Sequence, residues 1–343
     1  MSSLLSDIGV ELPVLAAPMA GGPSTPDMVT AAARAGSLGF LAGGYRTAPA
    51  LAGQIRAVQA DGVPFGVNLF TPSPVPVSPG SHRTYAQTLQ PEADRYGLNL
   101  NDGTPVEDDD AWEEKVDLVI GSDVPWVSFT FGIPDPDVIK AVRRSGTAVL
   151  QSVTSVDEAR QAAEAGADGL IVQGAAAGGH SATLTPGRPL DDVPLPELVA
   201  NVRRSTALPL LAAGGIATPA DVTAALRAGA DATMVGTLLL RTEESGASLP
   251  HKEALADPAF DTTVLTRAFT GRPARALRNH FTDRYDSVAP AGYPAVHHLT
   301  APLRKAATAA GDTRLIHLWA GTGYRQAREE GTAQTLQRLA GQL

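Results

Sequence analysis

The chain has no cysteine among its 343 residues. Disulfide bonds, thiolate metal sites and cysteine nucleophiles are therefore excluded. Positive charge is also scarce, because 27 lysines and arginines stand against 36 aspartates and glutamates. The resulting net charge of −9 argues against nucleic acid as a partner. No uninterrupted apolar run approaches the length of about 18 residues that a membrane-spanning helix needs, so no membrane association is predicted.

The first residues, 1–8, also lack a basic stretch followed by a long apolar one, and this predicts that the chain has no signal peptide. Hydrophobic residues make up 43% of the sequence and charged residues 18%, as in ordinary globular proteins. We therefore expect a soluble protein of the cytoplasm. The sequence carries no signal for an oligomeric state.

Short apolar runs alternate with helical segments over the first two thirds of the chain, and this alternation predicts a parallel sheet. The predicted strands are Leu12–Ala17, Leu38–Ala42, Pro64–Leu69, Trp126–Phe131, Thr147–Ser152, Leu170–Val172, Leu208–Ala212 and Ala232–Val235. Eight such strands indicate an α/β fold of the (β/α)8 TIM-barrel type, although a doubly wound open sheet gives a similar alternation. The barrel is favoured because no GxGxxG follows the first strand, and because glycine-rich loops follow nearly every strand.

Two segments depart from this rhythm. Four prolines crowd residues 72–79, too densely for a helix or an interior strand, so 71–123 is predicted as a proline-rich insertion after the third strand that forms a lid. Residues 246–343 are predicted to be helical and irregular, with one interrupted helix over Asp261–Leu277 and histidines that are mostly exposed or satisfied. The predicted organisation is thus a barrel of residues 1–245 and a C-terminal region that closes over its site.

In a TIM barrel the chemistry lies where the strands end. No lysine stands at a predicted strand end, which argues against a Schiff-base aldolase. No cluster of carboxylates stands there either, so no metal site is predicted. One histidine, a few amides and hydroxyls, and much bare backbone remain. Such a set is typical of a site whose cofactor supplies the difficult chemistry.

The last two strands indicate how that cofactor is held. Leu211–Ile216 and Met234–Thr237 each end a strand and begin a helix, and backbone N–H groups at two such turns form a phosphate cradle. No lysine of a glycine-rich nucleotide loop accompanies them, so a nucleoside triphosphate fits poorly. A monophosphate such as that of FMN fits better.

The sixth strand runs into a loop, Gln173–His180, in which only its two end residues carry large side chains. Bulky or flat ligands can approach such a bare backbone closely. We expect the ring of His180 to lie at the edge of this loop and to face the ligand. The alternative is an ordinary glycine-rich turn that carries a histidine exposed to solvent.

Several motifs, in the same order along nearly the whole chain, resemble the nitronate monooxygenases. They are Ala17–Gly22, Gly66–Phe70, Val127–Gly132, Val172–Gly174 with Gly178–His180, Ala212–Ile216 and Val235–Thr237. The resemblance implies FMN at the barrel mouth and His180 as the catalytic base or substrate-orienting residue. We expect the imidazole of His180 to titrate near neutral pH, which suits this role. Trp319–Tyr324 resembles the returning segment that closes over the family's site. The residues predicted to bind the cofactor are Ala17, Pro18, Met19, Asn68, Gln173, Gly178, Gly179, Gly214, Gly215, Met234, Val235, Gly236 and Thr237.

The function expected from this resemblance is FMN-dependent oxidation of alkyl nitronates by oxygen to a carbonyl compound and nitrite. Two alternatives stay open: an NAD(P)H-dependent reductase of quinones or enoyl thioesters, and a non-catalytic barrel that binds a phosphate ligand. Departures from the family pattern surround the histidine. Ala175–Ala176, Ser181 and Thr322 stand where members often carry an acidic residue, a glycine and a glutamine, and they leave the substrate open.

Overall fold

Eight parallel strands close into a barrel in the computed structural model, which describes residues 10–100 and 103–341. The eleven strands are β1 Val14–Ala16, β2 Gly39–Ala42, β3 Phe65–Phe70, β4 Trp126–Thr130, β5 Ala148–Val153, β6 Gly169–Gln173, β7 Gly179–His180, β8 Leu210–Ala213, β9 Ala232–Val235, β10 Thr263–Thr266 and β11 Ala274–Leu277. Around the barrel the order is β1-β2-β3-β4-β5-β6-β8-β9, and β9 pairs back onto β1. The predicted (β/α)8 TIM barrel is confirmed.

Helices follow the strands, and those between barrel strands cover the outside of the barrel. The helices of the described residues are α1 Pro26–Arg34, α2 Ala48–Ala60, α3 Pro79–Asp94, α4 Trp112–Ile120, α5 Pro136–Arg144, α6 Val156–Ala165, α7 Leu195–Arg203, α8 Pro219–Arg227, α9 Leu249–Ala254, α10 His280–Tyr285, α11 Ala295–Ala309 and α12 Thr332–Ala340. Of these, α3, α9, α10 and α11 belong to the insertion and the C-terminal region, whose buried side chains form a separate cluster. Threonine side chains cap α1, α2 and α8 at their N-termini, and each of these helices has proline in its first turn. Within the described ranges, no helix combines the length and apolarity needed to cross a membrane.

Along each barrel strand, side chains that point into the barrel alternate with side chains that pack under the helices. The inward-pointing side chains fill the interior. Seven of the eight barrel strands contribute to this inner cluster: Leu15, Phe40, Trp126, Leu150, Ile171, Leu211, Ala232 and Met234. The third strand contributes glycine instead, because a Cβ atom at Gly66 would lie 2.2 Å from the ring of Phe40. The inside is therefore a packed core, and ligands have access only at the strand ends.

Residues 261–277 do not form the predicted helix. They contain β10 and β11, which pair antiparallel, and β11 also pairs with the two-residue strand β7. The prediction was wrong because the apolar spacing in this stretch was interpreted locally. The strand β11 pairs with Gly179 and His180, which lie about ninety residues earlier in the chain, and local spacing cannot reveal such a distant partner.

The insertion after β3 packs against the C-terminal region. Helix α3 contacts α11, and the hydroxyl of Tyr85 donates a hydrogen bond of 2.7 Å to the carbonyl of Ala268. Tyr85 and Leu89 are buried in the same cluster as Phe269 and Phe281. The insertion therefore supports the region that covers the strand ends. The predicted role of 71–123 as a lid and the division at residue 245 stay predictions.

The final helix packs on the barrel itself. Helix α12 contacts α1, α8 and β1, and Leu336 and Leu339 are buried in the core under these helices. It packs between α1 and α8 on the outer face of the barrel, in the position of the helix that follows the last strand of a (β/α)8 barrel. We therefore propose that the barrel unit consists of 10–245 together with α12, and that the intervening segment is the cover.

Helix α1 lies so close to β2 that only glycine fits at Gly39. A Cβ atom there would lie 2.7 Å from the backbone Cα of Val29. We expect Gly39→Ala to lower the free energy of unfolding by about 1–3 kcal/mol, because the helix must move. Gly53→Ala is the control, since Gly53 is exposed in α2 with open space around it, and should raise stability by about 0.5–1 kcal/mol. Urea unfolding at equal flavin content measures both, and equal effects would contradict the packing argument.

Candidate active site

A cavity of about 400 Å³ opens at the carboxyl ends of the barrel strands. Its size is in the range of small-molecule and cofactor sites. Every residue predicted from the sequence for the site lines it: Ala17, Pro18, Met19, Asn68, Gln173, Gly178, Gly179, His180, Gly214, Gly215, Met234, Val235, Gly236 and Thr237. Trp319, Gly321 and Gly323 of the returning segment also line it. The fold thus brings the predicted residues together, while their contacts with a flavin stay a prediction.

Bare backbone forms one end of this cavity. Gly214 and Gly215 have φ angles of 104° and 77°, and Cβ atoms there would lie 2.8 Å from the Gly174 carbonyl oxygen and 2.9 Å from the Cβ of Ala176. Only glycine fits at these positions. In the described parts of the chain, the N–H groups of Gly214, Gly215 and Gly236 have no acceptor. Phosphate oxygens would satisfy them, so these residues fit the phosphate end of a flavin nucleotide.

Asn68 supplies a polar group on the wall of the cavity. Its Nδ2 lies 3.1 and 2.9 Å from the backbone carbonyl oxygen and the Oγ of Ser128 and 3.0 Å from Oγ1 of Thr130, and its two hydrogens are shared among these three acceptors. Because a carbonyl only accepts, these bonds fix which end of the amide is nitrogen. The Oδ1 atom has no partner among the described residues and is available to an N–H group of a ligand.

Gln173 holds the loop that it begins. Its Nε2 donates to the backbone carbonyl of His180 at 3.3 Å, and its Oε1 accepts from the N–H of Ala182 at 2.8 Å. The segment after the histidine is anchored further by the buried carboxylate of Glu158, which accepts from the hydroxyl of Thr183 at 2.7 Å and the N–H of Leu184 at 2.8 Å. Both anchors fix the backbone of His180.

The ring of His180 lines the cavity, as predicted from the sequence. Its backbone pairs with Ala274 in β11, and its Nε2 lies 2.9 Å from Oγ1 of Thr270. The aromatic rings of Phe131 and Trp319 lie 5.6 and 5.3 Å from the imidazole, measured between centroids. Protein side chains therefore pack against the ring, which is unlike a histidine exposed in a turn.

Two arginines of the C-terminal region are buried close to this histidine. Arg272 is fully buried, its guanidinium carbon lies 4.1 Å from the centre of the Phe131 ring, and its Nη2 donates to the carbonyl of Thr183. Its Nε and Nη1 have no partner among the described residues. Arg304 donates to the hydroxyl of Thr300 at 3.0 Å and to Nδ1 of His297 at 3.2 Å. Within the described ranges, neither arginine forms an ion pair with a carboxylate.

These surroundings determine the protonation of the histidine. Burial first, and then the positive charges of Arg272 and Arg304, lower the pKa of His180 to about 3. The same burial and Arg304 lower the pKa of His297 and of His317. The expectation that His180 titrates near neutral pH is therefore wrong, because the sequence revealed neither the burial of the ring nor the two cations near it. At neutral pH the site combines neutral imidazoles with positive guanidinium groups.

A smaller chamber of about 200 Å³ adjoins the cavity on the side of His180. Its lining includes Tyr45, His297, Arg304 and Lys305 but no carboxylate. The ring of His297 stacks on that of Tyr45 at a centroid distance of 4.2 Å. A chamber lined by cations and neutral donors suits a small anion. No group of metal-ligating residues occurs in the described part of the chain.

Sequence reasoning missed Arg272, Tyr293, His297 and Arg304 as site residues. They lie in the C-terminal region, where the histidines were expected to be mostly exposed or satisfied, and no motif marked them. The signal that could have found His297 and Arg304 is the concentration of three histidines and two arginines between residues 297 and 317, in a chain otherwise poor in basic residues. Nothing near Arg272 or Tyr293 in the sequence marks either of them.

Comparisons with known proteins agree with this geometry. The sequence profile of the nitronate monooxygenase family matches residues 2–339. A protein of Staphylococcus aureus strain Newman named probable nitronate monooxygenase is 33% identical over 326 residues, or 93% of this chain and 91% of that protein. The structure of a nitroalkane oxidase from Streptomyces ansochromogenes is similar with a TM-score of 0.92 and 46% identity, over 98% of this chain and 97% of the other.

A second, more distant similarity is to FabK from Thermotoga maritima, with a TM-score of 0.75 and 26% identity over 99% of this chain and 95% of the other. The family profile nevertheless spans nearly the whole sequence, and it confirms the resemblance that the motifs indicated. The glycine cradle fits the cofactor of such enzymes. The chain therefore belongs to the nitronate monooxygenase family and is a flavin-dependent oxidoreductase.

Proposed function

We propose that this enzyme uses FMN and molecular oxygen to oxidise alkyl nitronates to a carbonyl compound and nitrite. Family membership and the similarity to a nitroalkane oxidase support oxidation of nitronates or nitroalkanes. The observation that carries the proposal is the pair of buried guanidinium groups beside His180, which have no carboxylate partner in the described structure. A nitronate is the anion of a nitroalkane, and its charge would compensate theirs.

The proposed binding of FMN, in place of FAD, is supported by how the cavity ends. Beyond the glycine cradle the returning segment closes the space, since the N–H of Gly321 donates to Oγ1 of Thr237 at 2.9 Å and the N–H of Thr322 donates to the carbonyl of Ala176 at 3.1 Å. A Cβ atom at Gly323 would lie 2.5 Å from Ala217. This packing favours a flavin that ends in a terminal phosphate at the cradle, and it therefore supports FMN over FAD in the proposal.

The residues around the site have different roles in the proposed reaction. Bound flavin supplies the electron acceptor. Arg272 and Arg304 provide positive potential where the substrate anion binds, while Trp319 and Phe131 keep water from the ring of His180. His180 orients the nitro group or accepts the α-proton of a neutral nitroalkane. Because its pKa is near 3, proton abstraction is unfavourable, and the preformed anion is the better substrate.

Anaerobic mixing tests the reaction directly. We expect a preformed nitronate to bleach the absorbance of the bound flavin, because the anion enters a positive site and no proton needs to be removed. NADH should leave the absorbance unchanged over the same time, measured by stopped-flow spectroscopy. Rapid bleaching by NADH together with inertness toward nitronates would favour the reductase alternative.

The phosphate cradle can be tested at Gly236, whose φ of −118° accommodates other residues. A Cβ atom there would lie 3.4 Å from the sulfur of Met19, the flexible part of that side chain, so Gly236→Ala should keep its flavin. Gly236→Asp places a carboxylate beside the phosphate, and the Kd for FMN should rise roughly 10- to 100-fold. Fluorescence titration of the apoprotein measures this, and mass spectrometry should identify the flavin released by the unaltered protein as FMN. Equal affinities of both variants would place the phosphate elsewhere.

The role of His180 is tested by His180→Asn, which keeps a polar side chain in the site. Turnover of neutral nitroalkanes should fall by about two to four orders of magnitude, the usual loss for a general base, and turnover of nitronates should fall less. Since the pKa of His180 is lowered to about 3, its basic form persists as the pH falls. We therefore expect no acid-side loss of kcat/KM for neutral nitroalkanes between about pH 8 and pH 5. A midpoint near 6.5 that disappears in the variant would contradict the burial argument.

A further inference from the structure

Among the described residues, Thr270 is the one whose side chain forms a hydrogen bond with the ring of His180. It follows β10, is 1% exposed, and its Oγ1 lies 2.9 Å from Nε2 of the imidazole. The same segment holds the histidine by its backbone, because the N–H of Ser181 donates to the carbonyl of Pro273 at 2.9 Å. One short stretch of chain thus fixes both the main chain and the ring of the proposed base.

The hydrogen bonds of Thr270 determine where its proton lies. Its Oγ1 is 3.3 Å from the carbonyl oxygen of Arg272 and 3.5 Å from the N–H of the same residue. A carbonyl only accepts and a backbone N–H only donates, whereas the threonine hydroxyl has a single proton. All three contacts are satisfied together only when the hydroxyl donates to the carbonyl and accepts from Nε2–H of His180. If the hydroxyl instead donates to Nε2 of His180, Oγ1 of Thr270 and the carbonyl oxygen of Arg272 face each other without a hydrogen between them.

We propose that Thr270 is a positioning residue that holds His180 in the tautomer with hydrogen on Nε2, so that Nδ1 is the ring atom that accepts the substrate proton. The assignment of Nδ1 as base rests on the proposed function, whereas the tautomer does not. In that step the C–H bond of the nitroalkane breaks, its electron pair stays on the substrate as the nitronate, and the proton moves to Nδ1.

A hydroxyl at this position differs from the carboxylate that orients the catalytic histidine in many hydrolases. A carboxylate would stabilise the imidazolium, whereas Thr270 bonds to the neutral ring and adds no charge. The charged groups around the ring, Arg272 and Arg304, both oppose a second proton. The neutral ring therefore dominates before substrate binds, and its reactivity depends on which nitrogen is unprotonated.

Nitrogen NMR of the flavin-loaded protein, labelled with ¹⁵N-histidine, tests this directly. The signals of His180 are identified by their absence in His180→Asn. We expect the unaltered protein and Thr270→Ser to show hydrogen on Nε2, and Thr270→Val to show a shift of population toward hydrogen on Nδ1. In Thr270→Val, kcat/KM for a neutral nitroalkane should fall about 2- to 12-fold, the worth of one hydrogen bond, with recovery in Thr270→Ser and little change for the nitronate.

Thr335→Val is the matched control, since it removes a buried hydroxyl that bonds to Glu330 at 2.9 Å in α12, away from the site. It should leave the tautomer and the kinetics unchanged. Hydrogen on Nδ1 in the unaltered protein overturns the proposal whether or not the valine variant folds, and so does an unchanged tautomer in folded Thr270→Val. The expected tautomer in a protein that turns over neither substrate form would support the role of Thr270 and refute the proposed function alone.

Discussion

The backbone pairing of β7 with β11 is the constraint on which the site depends. Gly179 and His180 are drawn out of the barrel loop to form the edge of a small sheet that the C-terminal region builds. This pairing fixes the histidine, and it carries Thr270 and Arg272, which lie on the same connection, into contact with the ring and its neighbours. The barrel supplies the glycine cradle, and the small sheet and its connections supply the groups that we propose act on the substrate. The active site exists only where these two parts meet.

No carboxylate of the described residues forms an ion pair with Arg272 or Arg304 in this meeting zone, although the buried carboxylate of Glu158 acts on Arg272 through space. Two guanidinium groups lie inside protein with carbonyls, hydroxyls and neutral imidazoles as their partners, and burial lowers the pKa of both to about 10. Removing charges from water without counter-charge is unfavourable, and the interior makes their attraction for an anion stronger than in solution. Positive potential at the site therefore comes at a cost in stability, which binding of the proposed anionic substrate would relieve. The neutral state of His180 has burial as its first cause and these charges as its second.

The barrel and the cradle could be predicted because their signals are local. The run Leu211–Ile216 contains both a buried strand and the glycines that its turn requires, and the structure places the turn where the sequence put it. Arg272 could not be predicted as a site residue, because nothing near it in sequence distinguishes it from a surface arginine, and the basic residues around Arg304 do not by themselves show that it is buried. The lowered pKa of His180 follows first from burial of the ring and then from these two arginines. Strand β11 was missed for a related reason, since its partner is remote in the chain.

The position of α12 has a consequence for how the chain folds as it is made. Strand β9 can pair with β1 once about two thirds of the chain has emerged, but Leu336 and Leu339 are needed to cover α1, α8 and β1. The apolar faces of these elements therefore remain exposed to solvent while the segment between residue 245 and α12 is synthesised. Chains grow from the N-terminus at about 5–20 residues per second, so this exposure lasts several seconds. Until α12 packs on the barrel, chaperones or the ribosome surface would have to cover these apolar faces.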